Sequence, residues 1–180
     1  ANILILGSFP SVKSRETMFF YGHKQNRFWR VMAELLGYHG MDAHQYAENV
    51  YVPQTVEEKT DMLLKGHVAL WDTIASCDIV GSSDQSISNV VPNDLSIILK
   101  NAGIRKICCN GTKSYELFMR YIAADIRSDK RIGGPDYKTK RVPEFVKLPS
   151  TSPANAAWSS ERLAASWGEL TGLIPIGYDK

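Results

Sequence analysis

Residues 1–11 read Ala1-Asn2-Ile3-Leu4-Ile5-Leu6-Gly7-Ser8-Phe9-Pro10-Ser11. Four consecutive large aliphatic residues cannot alternate between core and water. Asn2–Leu6 is therefore expected to be a strand buried on both faces, as in the interior of a parallel sheet. The Gly/Ser/Pro turn after it ends the strand. In open parallel sheets, ligands sit at the carboxyl ends of the strands, so this turn is the first place to look for a site. Three more short apolar runs, Val68–Trp71, Lys106–Cys109 and Phe145–Leu148, have the same character.

Stretches of helical periodicity separate these runs. Phe28, Val31, Met32, Leu35 and Leu36 form one stripe, with Asn26 placed to cap the helix and Gly37 to stop it. Thr55-Val56-Glu57-Glu58 is a capping box that opens a helix to about Lys65. Asn93 is expected to cap a helix ending at Asn101, with Gly103 as its stop. Thr112 opens a helix carrying Tyr115, Phe118, Met119 and Ile122, and Ser159 to Thr171 forms the last, with Leu163, Trp167 and Leu170 inward. This alternation predicts an α/β fold: a three-layer sandwich with a mostly parallel four-stranded central sheet flanked by helices. With no internal repeat and no long linker, residues 1–180 are expected to form a single domain.

Composition narrows the function classes. The chain has 180 residues, 44% hydrophobic and 22% charged, which is ordinary for a globular domain. No run approaches the length of a membrane span, and Ile3–Leu6 lacks the basic leader of a signal peptide. A cytoplasmic location is expected, and a few residues are expected to precede the opening strand. Cys108 and Cys109 are neighbours in a strand and point to opposite faces, so they are poor partners for each other. Together with Cys77 they read as reduced thiols. With no Cys-x-x-Cys and no His/Cys ligand set, neither a zinc nor an iron–sulfur site is expected.

The net charge of +2 says little about partners. Two basic groups say more: Lys13, Arg15, Lys24, Arg27 and Arg30, then Arg127, Lys130, Arg131, Lys138, Lys140 and Arg141. Either alone reads as solvated loop charge. Two groups beside candidate active-site loops suit a polyanion.

Two motifs carry the chemistry. The first is Gly7-Ser8-Phe9-Pro10-Ser11 followed by Tyr21-Gly22-His23-Lys24-Gln25-Asn26-Arg27-Phe28-Trp29; the second is Leu148-Pro149-Ser150-Thr151-Ser152-Pro153-Ala154-Asn155. The first resembles the opening of the mismatch-specific uracil-DNA glycosylases, whose Gly-Ile-Asn-Pro-Gly and Phe-x-x-x-x-Asn-x-Phe-Trp pattern lies on Gly7–Trp29 without a gap. The second sits where that superfamily carries its His-Pro-Ser-Pro or Asn-Pro-Ser-Gly loop. The combination most resembles the hypoxanthine-DNA glycosylase branch.

The resemblance implies a cofactor-free, metal-free monofunctional DNA glycosylase, a monomer acting on DNA that contains deaminated bases. Hypoxanthine is the expected base and uracil the alternative. Tyr21 falls where the superfamily stacks an aromatic ring on the flipped base; Ser8, Phe9 and His23 would border that base. Phe9 departs from the pattern, because relatives have an asparagine or a nearby acid there to hold the attacking water. The resemblance makes Asn26 the substitute, a role compatible with helix capping. Ser150 stands at the His/Asn position and would stabilise the departing base or the sugar–phosphate with a single hydrogen bond. Ser11, Thr151, Ser152 and Asn155 are the expected DNA contacts. Ala154 occupies the slot where relatives insert a leucine into the vacated stack.

Competing readings of the same residues are a core aromatic at Tyr21, a structural His23 and a plain Ser/Pro turn at 149–155. Asp72, Ser14 and the Asn110-Gly111-Thr112-Lys113 turn are further candidates. In function, the alternatives are a catalytically weak protein that binds DNA lesions or mismatches, or a flavodoxin-like small-molecule binder.

Overall fold

The computed structural model describes residues 1–41, 50–80, 83–128 and 142–173. Strand β1 (Ile3–Gly7) is buried along its whole length. It pairs on one edge with β2 (Val68–Asp72), Ile3 lying opposite Val68 and Gly7 opposite Asp72. On its other edge it pairs with β5 (Lys106–Asn110), which in turn pairs with β6 (Glu144–Leu148). Every pairing is parallel, in the order β2-β1-β5-β6.

The pleat of this sheet sorts side chains into two cores. Ile3, Ile5, Cys108, Val146 and Leu148 face one side, with Phe28, Met32 and Leu36 of α2 (Phe28–Leu36), Met62 of α3 (Val56–Lys65), and Leu163 and Trp167 of α7 (Ser160–Thr171). Leu4, Leu6, Ile107 and Cys109 face the other, under α4 (Ser96–Asn101), α5 (Thr112–Tyr121) and α6 (Ala123–Ser128). The three-layer α/β arrangement expected from the sequence is the one adopted. Cys108 and Cys109 fall into opposite cores, where burial pushes both thiols up to about 12.

Local signals mostly hold. The Thr55 capping box forms with both of its bonds, Ser159 caps α7, and Gly37 closes α2 in the left-handed conformation. The stripe Tyr115, Phe118, Met119 and Ile122 packs into the second core.

Two expectations are corrected. The helix before Asn101 starts at Ser96, and Asp94 Oδ1 accepts from the Ser96 amide at 2.8 Å. Asn93 instead donates its Nδ2 to the Asp72 carbonyl at 2.8 Å, tying down the end of β2. Leu170 is 37% exposed, because the buried stripe of α7 runs through Leu163, Trp167 and Thr171 and leaves it to one side. A second, antiparallel sheet joins β3 (Ile74–Asp78) to β4 (Ser88–Pro92).

A buried hydroxyl network fixes the carboxyl end of β1. Ser114, in the first turn of α5, donates to the Leu6 or Gly7 carbonyl at 2.9 and 3.0 Å. Thr73 donates its hydroxyl to the Gly7 carbonyl at 2.8 Å and lies 3.2 Å from the Ser114 hydroxyl. Ser114→Ala is expected to cost about 1–3 kcal/mol, the penalty for leaving buried acceptors short of a donor. Urea unfolding measures it, and an unchanged midpoint would show that the network contributes nothing.

Candidate active site

At the carboxyl ends of the parallel strands lies a cavity of about 570 Å³. It is walled by the 7–15 loop, by Met18–Tyr21 with His23 and Asn26, by Asp72 and Asn110, and by Ser150–Pro153. That volume suits a small organic ligand group. The structure brings Ser8, Phe9, Ser11, Tyr21, His23, Asn26, Ser150, Thr151 and Ser152 to this one cavity, and leaves Asn155 outside its lining.

Tyr21 stacks on Phe28, with ring centroids 3.9 Å apart and planes 17° from parallel. Phe28 is fully buried, so it backs one face of the Tyr21 ring while the residue also borders the cavity. The backbone holds Tyr21 at φ 51°, a left-handed conformation costly for a bulky residue. Its hydroxyl is buried and meets no group in hydrogen-bond geometry. Desolvation first, and the Asp72 carboxylate second, push that hydroxyl's pKa up, so it stays protonated. Asn110 opposes the shift only in part.

Asp72 is the second unusual polar group. Burial lifts its carboxyl pKa from 3.8 to about 7. Gly7 makes room for it: a Cβ on Gly7 would collide with Asp72 Oδ1 and approach Tyr21 Oη to 3.5 Å. The missing side chain at the last residue of β1 therefore leaves room for the Asp72 carboxyl and the Tyr21 phenol.

Asn26 sits just outside α2. Its Oδ1 accepts from the Phe28 amide at 3.0 Å, so the expected helix-end bond exists one residue before the formal cap, Arg27. The Oδ1 keeps a second lone pair. His23 is exposed, and its Nδ1 accepts from the Gln25 amide at 3.2 Å. Ser11 caps α1 (Val12–Glu16) and pairs with Ser14, whose buried hydroxyl also receives the Gly22 amide at 3.1 Å. Ser14 thus joins the two halves of the first motif.

The second motif is held by residues whose importance the sequence did not reveal. Arg27 donates through its guanidinium to the carbonyls of Thr151, Ser152, Asn155 and Trp158, and its backbone amide also donates to Thr151 O at 3.1 Å. Asn110 grips Thr151 twice: Nδ2 donates to the Thr151 hydroxyl at 2.9 Å, and Oδ1 accepts its amide at 3.0 Å. Gly111, at φ 99°, lets Ser150 approach; a Cβ there would lie 3.0 Å from Ser150 Cβ. The Asn26-Arg27 pair of the first motif and the strand-end Asn110-Gly111 were the available signals, and neither says what the side chain holds.

Two of the expected DNA contacts make hydrogen bonds within the protein. Thr151 is fully buried, with its hydroxyl, amide and carbonyl all engaged internally, so its side chain cannot reach a phosphate. Asn155 turns its Nδ2 to the Ser150 carbonyl at 2.9 Å and braces the loop. Ser150 Oγ accepts the Ser152 amide at 3.2 Å, leaving its own proton to donate. The basic run from 127 to 141 lies outside the described residues except Arg127, whose guanidinium sits 5.0 Å from the Phe145 ring centroid. Among the described residues, no group of three or more His, Cys, Asp or Glu is placed to hold a metal ion, and no helix is long and apolar enough to cross a membrane.

Residues 1–171 match the family model of the uracil DNA glycosylase superfamily. The chain is 31% identical over 163 residues to a Methanosarcina acetivorans protein named hypoxanthine DNA glycosylase, covering 89% of this chain and 84% of that one. It is 29% identical over 121 residues to a Methanosarcina barkeri protein of the same name, covering 66% and 70%. Its structure is also similar to a Methanosarcina acetivorans protein solved by solution NMR as a candidate uracil DNA glycosylase. That match has TM-score 0.67 and 28% identity, and covers 94% of this chain and 88% of the other.

The Arg27 contacts make a direct prediction. Arg27→Lys should destabilise the protein by about 1.5–3 kcal/mol, the range for a hydrogen bond to a charged group, because one ammonium cannot reproduce the guanidinium fork. The 150–158 loop should also become sensitive to limited proteolysis. Wild-type stability and protection in Arg27→Lys would show that the fork is not what holds the loop.

Proposed function

This chain belongs to the uracil DNA glycosylase superfamily, and we propose that it excises hypoxanthine from DNA, with uracil as the alternative base. One observation carries the reading. An aromatic face backed by Phe28, the Asn26 amide and a serine-bearing loop from the far end of the chain meet on a single cavity.

The bond to be broken joins C1′ of deoxyribose to a ring nitrogen of the base. Dissociative cleavage leaves positive charge on the sugar and negative charge on the base. The nucleotide must first leave the stack, at a cost of a few kcal/mol that is least for mismatched or damaged bases. Tyr21 offers its cavity-facing side to the extruded base, a contact worth about 1–3 kcal/mol. Phe28 behind it keeps the ring from rocking away.

Asn26 orients the attacking water with its amide, because Phe9 has no polar atom to do so. Ser150 donates one hydrogen bond to the leaving base or to the sugar–phosphate, where charge develops. In this reading Ser8 and His23 border the base, and Ser11 and Ser152 contact the backbone phosphates; what supports it is that all four line the cavity. All these groups come from one chain, which fits a monomer acting on DNA.

Asp72 supplies the base-reading edge. A neutral carboxyl presents a donor and an acceptor side by side, matching the adjacent N–H and C=O of hypoxanthine or uracil; an ionised one only accepts. The Tyr21 phenol is the titratable group against it, and Lys13, Arg15 and His23 are the other charged or titratable groups on the cavity wall besides it.

Two experiments follow. Oligonucleotides carrying one deoxyinosine or one deoxyuridine should release free base, and Asn26→Ala should slow release by about 100-fold or more while the protein stays folded. No release from either substrate by folded wild type would remove the catalytic claim. The second varies pH. Asp72 is protonated below its value of about 7 and ionised above it, so excision should decline as pH rises through that point. Asp72→Asn keeps a donor and an acceptor at every pH and should flatten the decline; an unaltered profile would exclude Asp72 as the base-reading group.

A further inference from the structure

We propose that Met18 is the wedge that fills the duplex when the nucleotide leaves its stack, an inference that rests on the DNA-glycosylase reading above. Extruding a nucleotide leaves a hole between neighbouring base pairs, and proteins that open base steps commonly insert an apolar side chain, methionine among them. The Ser150–Asn155 loop has nothing of that length to offer. Pro153 and Ala154 are exposed but short, and Asn155 is turned back onto the Ser150 carbonyl.

Met18 lines the same cavity, on a separate segment of the chain. At 86% exposure it is the most exposed large apolar side chain among the described residues. The others above 60%, Leu64, Val80 and Ile97, are not on the cavity wall.

Its backbone is as telling as its exposure. Met18 follows the Thr17 cap of α1 and sits at φ 52°, the left-handed position that helix ends ordinarily give to glycine. An L side chain enters that conformation at a cost. The turn is nonetheless rigidly held: Met18 N donates to Arg15 O at 3.3 Å, Phe19 N to Ser14 O at 3.1 Å, and the Thr17 hydroxyl to Lys13 O at 3.0 Å. Just after it, Phe19 stacks on the buried Trp29 with centroids 5.8 Å apart.

A long, flexible, apolar side chain is thus projected from a stiff stub at the mouth of the base cavity. Lys13 and Arg15, on the same short helix and also on the cavity wall, put positive charge beside it, Lys13 pairing with Glu16 at 2.7 Å.

The test compares duplex with single strand. On a deoxyinosine duplex, single-turnover excision by Met18→Ala should fall about tenfold or more, because the hole goes unfilled. On the same oligonucleotide as a single strand, which has no hole to fill, the rate should change little. Met18→Leu should keep the duplex rate. Met18→Gly should raise the melting temperature yet lose the duplex rate as alanine does, since glycine relieves the left-handed strain. Equal losses on both substrates, or none on the duplex, would overturn the proposal.

A readout independent of catalysis separates the two claims. 2-Aminopurine beside the deoxyinosine should brighten on binding wild type and not Met18→Ala. Brightening that depends on Met18, without base release, would keep the wedge and sink the excision reading. Brightening that Met18→Ala retains, or none with wild type, would sink the wedge.

Discussion

The site exists because one guanidinium bridges the two ends of the chain. Arg27 stands at the entrance of α2, and the carbonyls it satisfies, at Thr151, Ser152, Asn155 and Trp158, lie 124 to 131 residues later. Backbone acceptors in a tight, part-buried turn need donors, and the loop's own amides are largely spent within it. Arginine is the one side chain with a rigid fork of five donors. The second motif is therefore not a free loop over a pocket; it is set against the first with the precision of the helix that carries Arg27.

Around that bridge, other contacts bring the strand ends into one cluster. Asn110 and Gly111 at the end of β5 seat Thr151 and Ser150, and Thr73 and Ser114 hold the Gly7 carbonyl at the end of β1. The parallel sheet places these ends on one edge, and the polar network converts that proximity into a defined cavity. Several polar side chains of the cavity also carry scaffold bonds: Asn26 receives the Phe28 amide, Ser150 the Ser152 amide and Ser11 the Ser14 amide. Thr151 and Asn155, which look like ligand contacts by position, are consumed in holding the loop.

Several local costs meet at the cavity, although left-handed His67 and Asn89 lie away from it. The Tyr21 hydroxyl is buried without a partner, Asp72 keeps a carboxyl far from its ordinary pKa, and Met18 and Tyr21 both occupy left-handed backbone. Each is a local cost that the surrounding packing sustains. Such costs gathered on one surface mark a place shaped for a ligand rather than for folding alone.

The sequence by itself determined the architecture. Ile3–Leu6 had to be a doubly buried strand, the helical stripes had to cover both faces, and Cys108 and Cys109 had to part, because all of these follow from side-chain period and hydrophobicity alone. It also held the motifs that carry the family resemblance. Only the tertiary structure decided which polar side chains face the cavity and which are spent on the scaffold. Asn93, Thr151 and Asn155 are the same kinds of residue as Asn26 and Ser150, and nothing local distinguishes them. A hydrogen bond to a carbonyl a hundred residues away leaves no periodicity in the chain, so the division between holding and acting is written only in the folded contacts.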